Sequence, residues 1–235
     1  MLMRPIPNVL WNLFLAVIPV ALAFVIARGV RRERAATGTV QWLLWGPLAL
    51  VWLLFLPNSC YLLTEWRHYL TTLTQSQLFA EAHHSGDGRV DFFLVTGFYL
   101  VYSGVGLLAF FLAVWPLDRL TRVRLGWLGA ALRPLIFPLC ALGVYLGLMR
   151  GRFNSWDLLS ASRLSELLAT TAQVFQRPYL TGLILLFGAV LWLFYAAFDI
   201  WMDGWAWRLS RRHARQNNAF TENALPEKDS SHASV

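Results

Sequence analysis

The chain has 235 residues, of which 57% are hydrophobic and only 14% charged, with a mean hydropathy of +0.49. Soluble domains carry about 45–50% apolar and about 25% charged residues, so this composition excludes a disordered chain, a secreted disulfide scaffold and an ordinary soluble enzyme. The formal charge is +7, but the arginines stand in short groups beside apolar runs, where membrane topology rather than nucleic-acid binding places them.

Five runs approach the roughly 20 apolar residues that a helix needs to cross a hydrocarbon core of about 30 Å. They are 9–27, 40–62, 92–115, 135–149 and 179–198. The expected fold is an all-α, polytopic membrane helix bundle of about five transmembrane helices. In the first run, Ala21-Leu22-Ala23 has the small-x-small form of a cleavage site, yet the strong basic group follows the run, which favours a retained anchor. Arg28, Arg31, Arg32 and Arg34 follow the first run, Arg119, Arg122, Arg124 and Arg133 the third, and Arg208, Arg211, Arg212 and Arg215 the fifth. The positive-inside rule puts these on the cytoplasmic side, giving an N-terminus outside and a C-terminus inside.

The second run carries the sharpest motif. At about 100° per residue, Asn58, Tyr61, Glu65 and His68 share one narrow helical stripe, beginning beside Pro57 near the outer edge of the hydrocarbon. Polar groups at that depth are costly against lipid and point to protein or a watered pocket. Glu65 and His68 have the i, i+3 spacing of Glu-x-x-His metal sites. The plainer explanation makes Asn58 a partner for carbonyls freed by Pro57, Tyr61 an anchor, and Glu65 with His68 a solvated helix end.

Further along, Ser85-Gly86-Asp87-Gly88 reads as a turn, and His83 with His84 as solvated loop residues. Asp91 opens the third run on the same side as Glu65. The fourth run is short and borrows Trp127 to Leu132. Within it Gly143, Gly147 and Gly151 form a small-residue stripe for helix packing, including contact with a protein partner or a second copy. Next comes Arg150-Gly151-Arg152-Phe153-Asn154-Ser155-Trp156-Asp157, again on the outer side. Its polar residues suit either a helix cap or a site. Leu164, Leu167, Leu168, Thr171 and Phe175 recur every three or four residues, as in an amphipathic surface helix. Asp199 and Asp203, between tryptophans, mark a membrane boundary. Residues 1–208 read as one membrane domain and 209–235 as a polar, disordered cytoplasmic tail. Cys60 and Cys140 lie in apolar stretches and are too few for a disulfide framework.

The blocks WNLFLAVIPVALA (11–23), FLPNSCYLLTEWRHY (55–69) and RFNSWD (152–157) resemble, in order, the bacterial integral membrane family known as domain of unknown function thirteen-sixty-one. The resemblance implies a small multi-pass protein of the bacterial inner membrane and no particular activity. The family pattern falls on Pro57-Asn58, Tyr61, Thr64-Glu65 and His68, and on Asn154 to Asp157. The chain departs from it in carrying Glu65 where Asp is usual and Ser59-Cys60 where Ala-Pro is usual.

Two functional readings follow. In the first, an outer-face polar pocket binds or acts on a polar or lipid-linked envelope substrate. Glu65, His68 and Asp157 are its candidate catalytic groups, and Asn58, Tyr61, Arg150, Arg152 and Asn154 its candidate substrate contacts. A divalent metal is the candidate cofactor, held by Glu65, His68, Asp91 and Asp157. In the second, the chain is a non-enzymatic accessory or assembly subunit of an envelope complex. A small transporter ranks below both, since the apolar runs contain no charged residue near the bilayer midplane.

Overall fold

The computed structural model describes residues 6–32, 38–75, 78–148, 153 and 160–224. Among these the chain is helical apart from short turns. The helices are α1 (Ile6–Arg32), α2 (Gly38–Thr64), α3 (Trp66–Gln75), α4 (Leu78–His84), α5 (Gly86–Leu125), α6 (Trp127–Leu148), α7 (Ala161–Phe175) and α8 (Pro178–Ala224). Five stretches are long and apolar enough to cross a membrane: Asn8–Arg32, Leu44–Thr74, Gly86–Leu125, Trp127–Leu148 and Pro178–Arg212. Large apolar side chains such as Phe14, Phe93, Leu135 and Leu186 stand more than half exposed, which suits lipid and would be costly in water. This is a multi-pass membrane protein.

Three elements differ from the sequence expectation. His83 and His84, expected in a solvated loop, lie in the last turn of α4. The Ser85-Gly86-Asp87-Gly88 segment is not a free turn but the capped start of α5. The Ser85 side chain accepts a hydrogen bond from the Gly88 backbone N–H at 2.9 Å, satisfying a donor that a helix start leaves open. From that cap α5 runs 40 residues, through Pro116 and several glycines, until Gly126, whose φ of 55° ends it. The polar segment after 208, expected to be disordered, is helical as far as Ala224. It contains neither Gly nor Pro between 209 and 224, so nothing in it stops a helix from propagating. The amphipathic helix around 164–175 is α7, with Val174 buried and Leu168 and Phe175 exposed.

By internal packing the chain divides into two compact units, Met1–Trp192 and Leu193–Val235. In the first, α2 is the central element and small residues set its seams. Gly29 of α1 meets the Trp45 ring and Gly143 of α6 meets Pro57. A Cβ placed on Gly106 of α5 would stand 2.5 Å from Leu62 Cβ. Side chains then pin the helices through backbone carbonyls. Ser59 Oγ donates to Ala16 O at 3.2 Å, Trp52 Nε1 to Ala113 O at 3.0 Å, and Ser103 Oγ to Leu62 O at 3.4 Å. In a bilayer, where apolar burial gives helices little drive to associate, close backbone approach and such bonds hold a bundle together. Cys60 and Cys140 are buried, with their sulfurs 3.5 Å apart across the α2–α6 seam.

At the end of the bundle where α5 turns into α6, Asp118 is buried and paired with Arg122 one turn on. Arg133 of α6 brings its Nε to 3.5 Å from the same carboxylate. Two guanidinium groups therefore face one carboxylate across the turn, a charge-assisted clamp between consecutive helices. Arg124 adds a bond to the Val30 carbonyl of α1 at 3.1 Å. In the second unit, the helix carries an aromatic ladder. Tyr195, Phe198, Trp201 and Trp205 follow one another at ring separations of 6.5, 6.2 and 5.2 Å, and Arg211 lies over the Trp207 ring at 4.0 Å.

Candidate functional site

Pro57 does not break α2, which carries on to Thr64. The interruption comes at Glu65, a single residue of turn before α3. Its carbonyl accepts from the His68 N–H at 2.8 Å and the Tyr69 N–H at 3.2 Å, so the residue that ends one helix starts the next. Because the break is one residue long, the helical phase is nearly kept. Asn58, Tyr61, Glu65 and His68 all line one cavity of about 1130 Å³, somewhat larger than the roughly 300–1,000 Å³ of common ligand pockets.

Other helices complete the wall. Asn8, Trp11 and Asn12 come from α1, Tyr99 and Tyr102 from α5, Thr71 and Thr72 from α3, Leu139, Leu142 and Leu146 from α6, and Leu167, Leu168 and Thr171 from α7. The α7 contributors belong to the amphipathic pattern expected at 164–175, whereas those of α1, α5 and α6 are not singled out by the sequence reading, although two signals are present. Asn8 and Asn12 form an i, i+4 polar pair in an apolar run, and Tyr99 and Tyr102 an i, i+3 pair. Tyr99 is held in place by aromatic neighbours: the Tyr69 ring lies 5.4 Å away, and Tyr69 is itself fixed by a 2.8 Å hydroxyl–hydroxyl bond to Thr96. Phe98 stacks on Tyr102 with centroids 5.8 Å apart. The buried Tyr102 hydroxyl faces Asn12 without the geometry of a hydrogen bond.

The cavity has two chemistries. Along α2 and α6 it is walled by Leu53, Leu54, Leu139 and Leu142; toward α3 it is walled by Asn58, Tyr61, Glu65, His68 and Tyr99. Leu53 and His68 are fifteen residues apart, about 22 Å at helical rise. The Glu65 side chain is 18% exposed, and its Oε2 lies 4.0 Å from Nε2 of His68, which is 54% exposed. The hydroxyls of Thr71, Thr72 and Thr171 donate to their own helices, to the carbonyls of Arg67, His68 and Leu167.

The remaining expected site residues are placed differently. Asp91 is exposed on α5 and does not line the cavity. Arg150, Arg152, Asn154 and Asp157, together with Gly151, lie outside the described residues. Phe153, between them, lines the cavity and has the Arg163 guanidinium 5.2 Å from its ring. Among the described residues no three of His, Cys, Asp and Glu come together as a metal set. The glycine stripe divides by role. Gly143 is used inside the chain against Pro57, while Gly147 lines the cavity with open space beside it, its nearest neighbour being Phe153 O at 3.8 Å from a built Cβ.

The family model described as protein of unknown function (DUF1361) matches residues 11–194. No curated protein and no solved structure matches the chain. The match covers most of the sequence, including every helix that lines the cavity, and the chain belongs to that family.

Proposed function

We propose that this member of the DUF1361 family binds a lipid-linked or otherwise amphipathic molecule in the cavity lined by α1, α2, α3, α5, α6 and α7, at the outer face of a bacterial cytoplasmic membrane. One observation carries this reading: a single cavity is walled by leucines along the spans and ends in Asn58, Tyr61, Glu65 and His68. An apolar chain fits the first part and a polar head the second, so a ligand of both characters removes more apolar surface from water than a soluble polar molecule would. Glu65 and His68 are the groups that would touch the head. The arginine-rich ends of α1, α5 and α8 favour the opposite, cytoplasmic side.

Gly147 provides the test, because a large side chain there enters the cavity rather than a helix seam. The wild-type protein, purified in mild detergent and exchanged repeatedly, is expected to retain an amphiphile visible by mass spectrometry after extraction. Gly147→Phe is expected to purify as well folded and to lose it. Equal lipid content in both proteins, at background level, would overturn the reading and favour an accessory subunit that works through protein contacts.

A further inference from the structure

We infer that the head group taken by this cavity is a cationic amine. The inference rests on the amphiphile reading above and adds the charge of the ligand. The Glu65 carboxylate is largely withdrawn from water, and among the described residues no donor makes a hydrogen bond to it. The His68 ring nitrogen stands 4.0 Å away, at the outer limit of an ion pair, on a side chain more than half exposed. A carboxylate in such a position is costly unless donors or an opposite charge meet it. The described lining residues include neither lysine nor arginine. Arg163, beside Phe153 on α7, is engaged with Glu166 at 2.9 Å and does not line the cavity.

The surroundings favour a cation over a neutral donor. Tyr61, Tyr99 and Tyr102 line the cavity with Glu65. Aromatic faces carry negative potential and attract ammonium groups, most strongly where water is excluded. A carboxylate and three tyrosines lining one cavity are a combination suited to a positive nitrogen. A phosphate or carboxylate head would meet Glu65 with like charge.

The experiment compares dodecylamine, dodecanol and dodecanoate, three probes with one chain and three heads, on the full-length protein in nanodiscs against empty nanodiscs. Butylamine is added to separate a lipid head from a free amine. The amine is expected to bind at least about tenfold more tightly than the alcohol, as befits a hydrogen bond to a charged group, and dodecanoate weakest of all. Glu65→Gln is expected to bring dodecylamine down to dodecanol while leaving dodecanol unchanged, and Glu65→Asp to restore part of the difference. Equal binding of all three long-chain probes, or preference for dodecanoate, would overturn the charge inference and leave the amphiphile reading standing. Binding of butylamine as tight as dodecylamine would keep the charge inference and remove the amphiphile reading. Saturable binding of none would remove both. The wild-type rank order needs no variant, so a Glu65→Gln protein that failed to fold would not shield the proposal.

Discussion

Gly106 and Gly104 are two residues apart on α5, yet alanine should act on them with opposite sign. At Gly106 a Cβ would lie 2.5 Å from Leu62 Cβ and 2.9 Å from the Ser59 carbonyl oxygen. Carbon atoms pack at about 3.5–4.0 Å, so α2 and α5 must part there by about 1 Å. The Ser103–Leu62 bond, already 3.4 Å long, does not survive that shift. Overpacking of this kind costs about 1–3 kcal/mol, and a lost interhelical bond in a bilayer adds about 0.6 kcal/mol. At Gly104 nothing lies within 4 Å of a built Cβ, and alanine keeps only its helix-propensity gain of up to about 1 kcal/mol. That gain is common to both variants, so Gly106→Ala should be less stable than Gly104→Ala by about 2–3 kcal/mol. For a chain of this size the difference corresponds to roughly 4–12 °C in unfolding midpoint, measured in one detergent at one lipid ratio. Tyr102 stands one turn before Gly106, so retained amphiphile should fall as well. Equal midpoints for the two variants would refute close packing of α2 on α5 at this point.

At the other end of the bundle, Asp118→Ala leaves Arg122 and Arg133 facing each other without their carboxylate, and should cost about 3–5 kcal/mol; a thermal midpoint unchanged from wild type would show that the clamp holds nothing. Cys60 and Cys140 are at most 1% exposed, so both should resist maleimide in the folded protein and react fully once denatured, as intact-mass analysis would show. Their 3.5 Å approach also means that a membrane-permeant thiol oxidant should close a disulfide within one chain, seen as a loss of two hydrogens; exclusive formation of crosslinked dimers would contradict the α2–α6 seam. With the native thiols buried, a cysteine placed at Glu81 or Ser85 should label from outside intact cells and one at Arg212 should not, and the reverse pattern would invert the orientation.

The five spans were legible because lipid imposes a length and an apolarity that no tertiary contact needs to supply. The Asn58–His68 stripe was legible for a related reason, since helical phase is local and the break at Glu65 is one residue long. What lay beyond reading was set by how helices rotate against one another. Asp91 shares a membrane side with Glu65 by sequence, but its position on α5 turns it outward. Tyr99 and Tyr102, further along the same helix, line the cavity, with Tyr69 of α3 against the Tyr99 ring. Arg133 was counted as a topology marker, and its approach to Asp118 depends on the tight reversal at Gly126. Gly143 and Gly147 look alike in sequence and both line the cavity, yet Gly143 is packed against Pro57 while Gly147 has open space beside it.

The length of α5 has a mechanical consequence. Its 40 residues rise about 60 Å, roughly twice the hydrocarbon thickness, whereas the 22 residues of α6 rise about 33 Å and nearly match it. A bilayer that thins or thickens is met by helix tilt, and on a rod twice the membrane's depth tilt becomes leverage. Tyr99 stands 19 residues from Asp118, where the clamp sits, about 28 Å away. A tilt of about 5°, pivoting at that clamp, would carry the tyrosine wall sideways by about 2.5 Å, close to the length of a hydrogen bond. Membrane thickness would thereby act on the width of the cavity at its polar end, where Tyr99 stands.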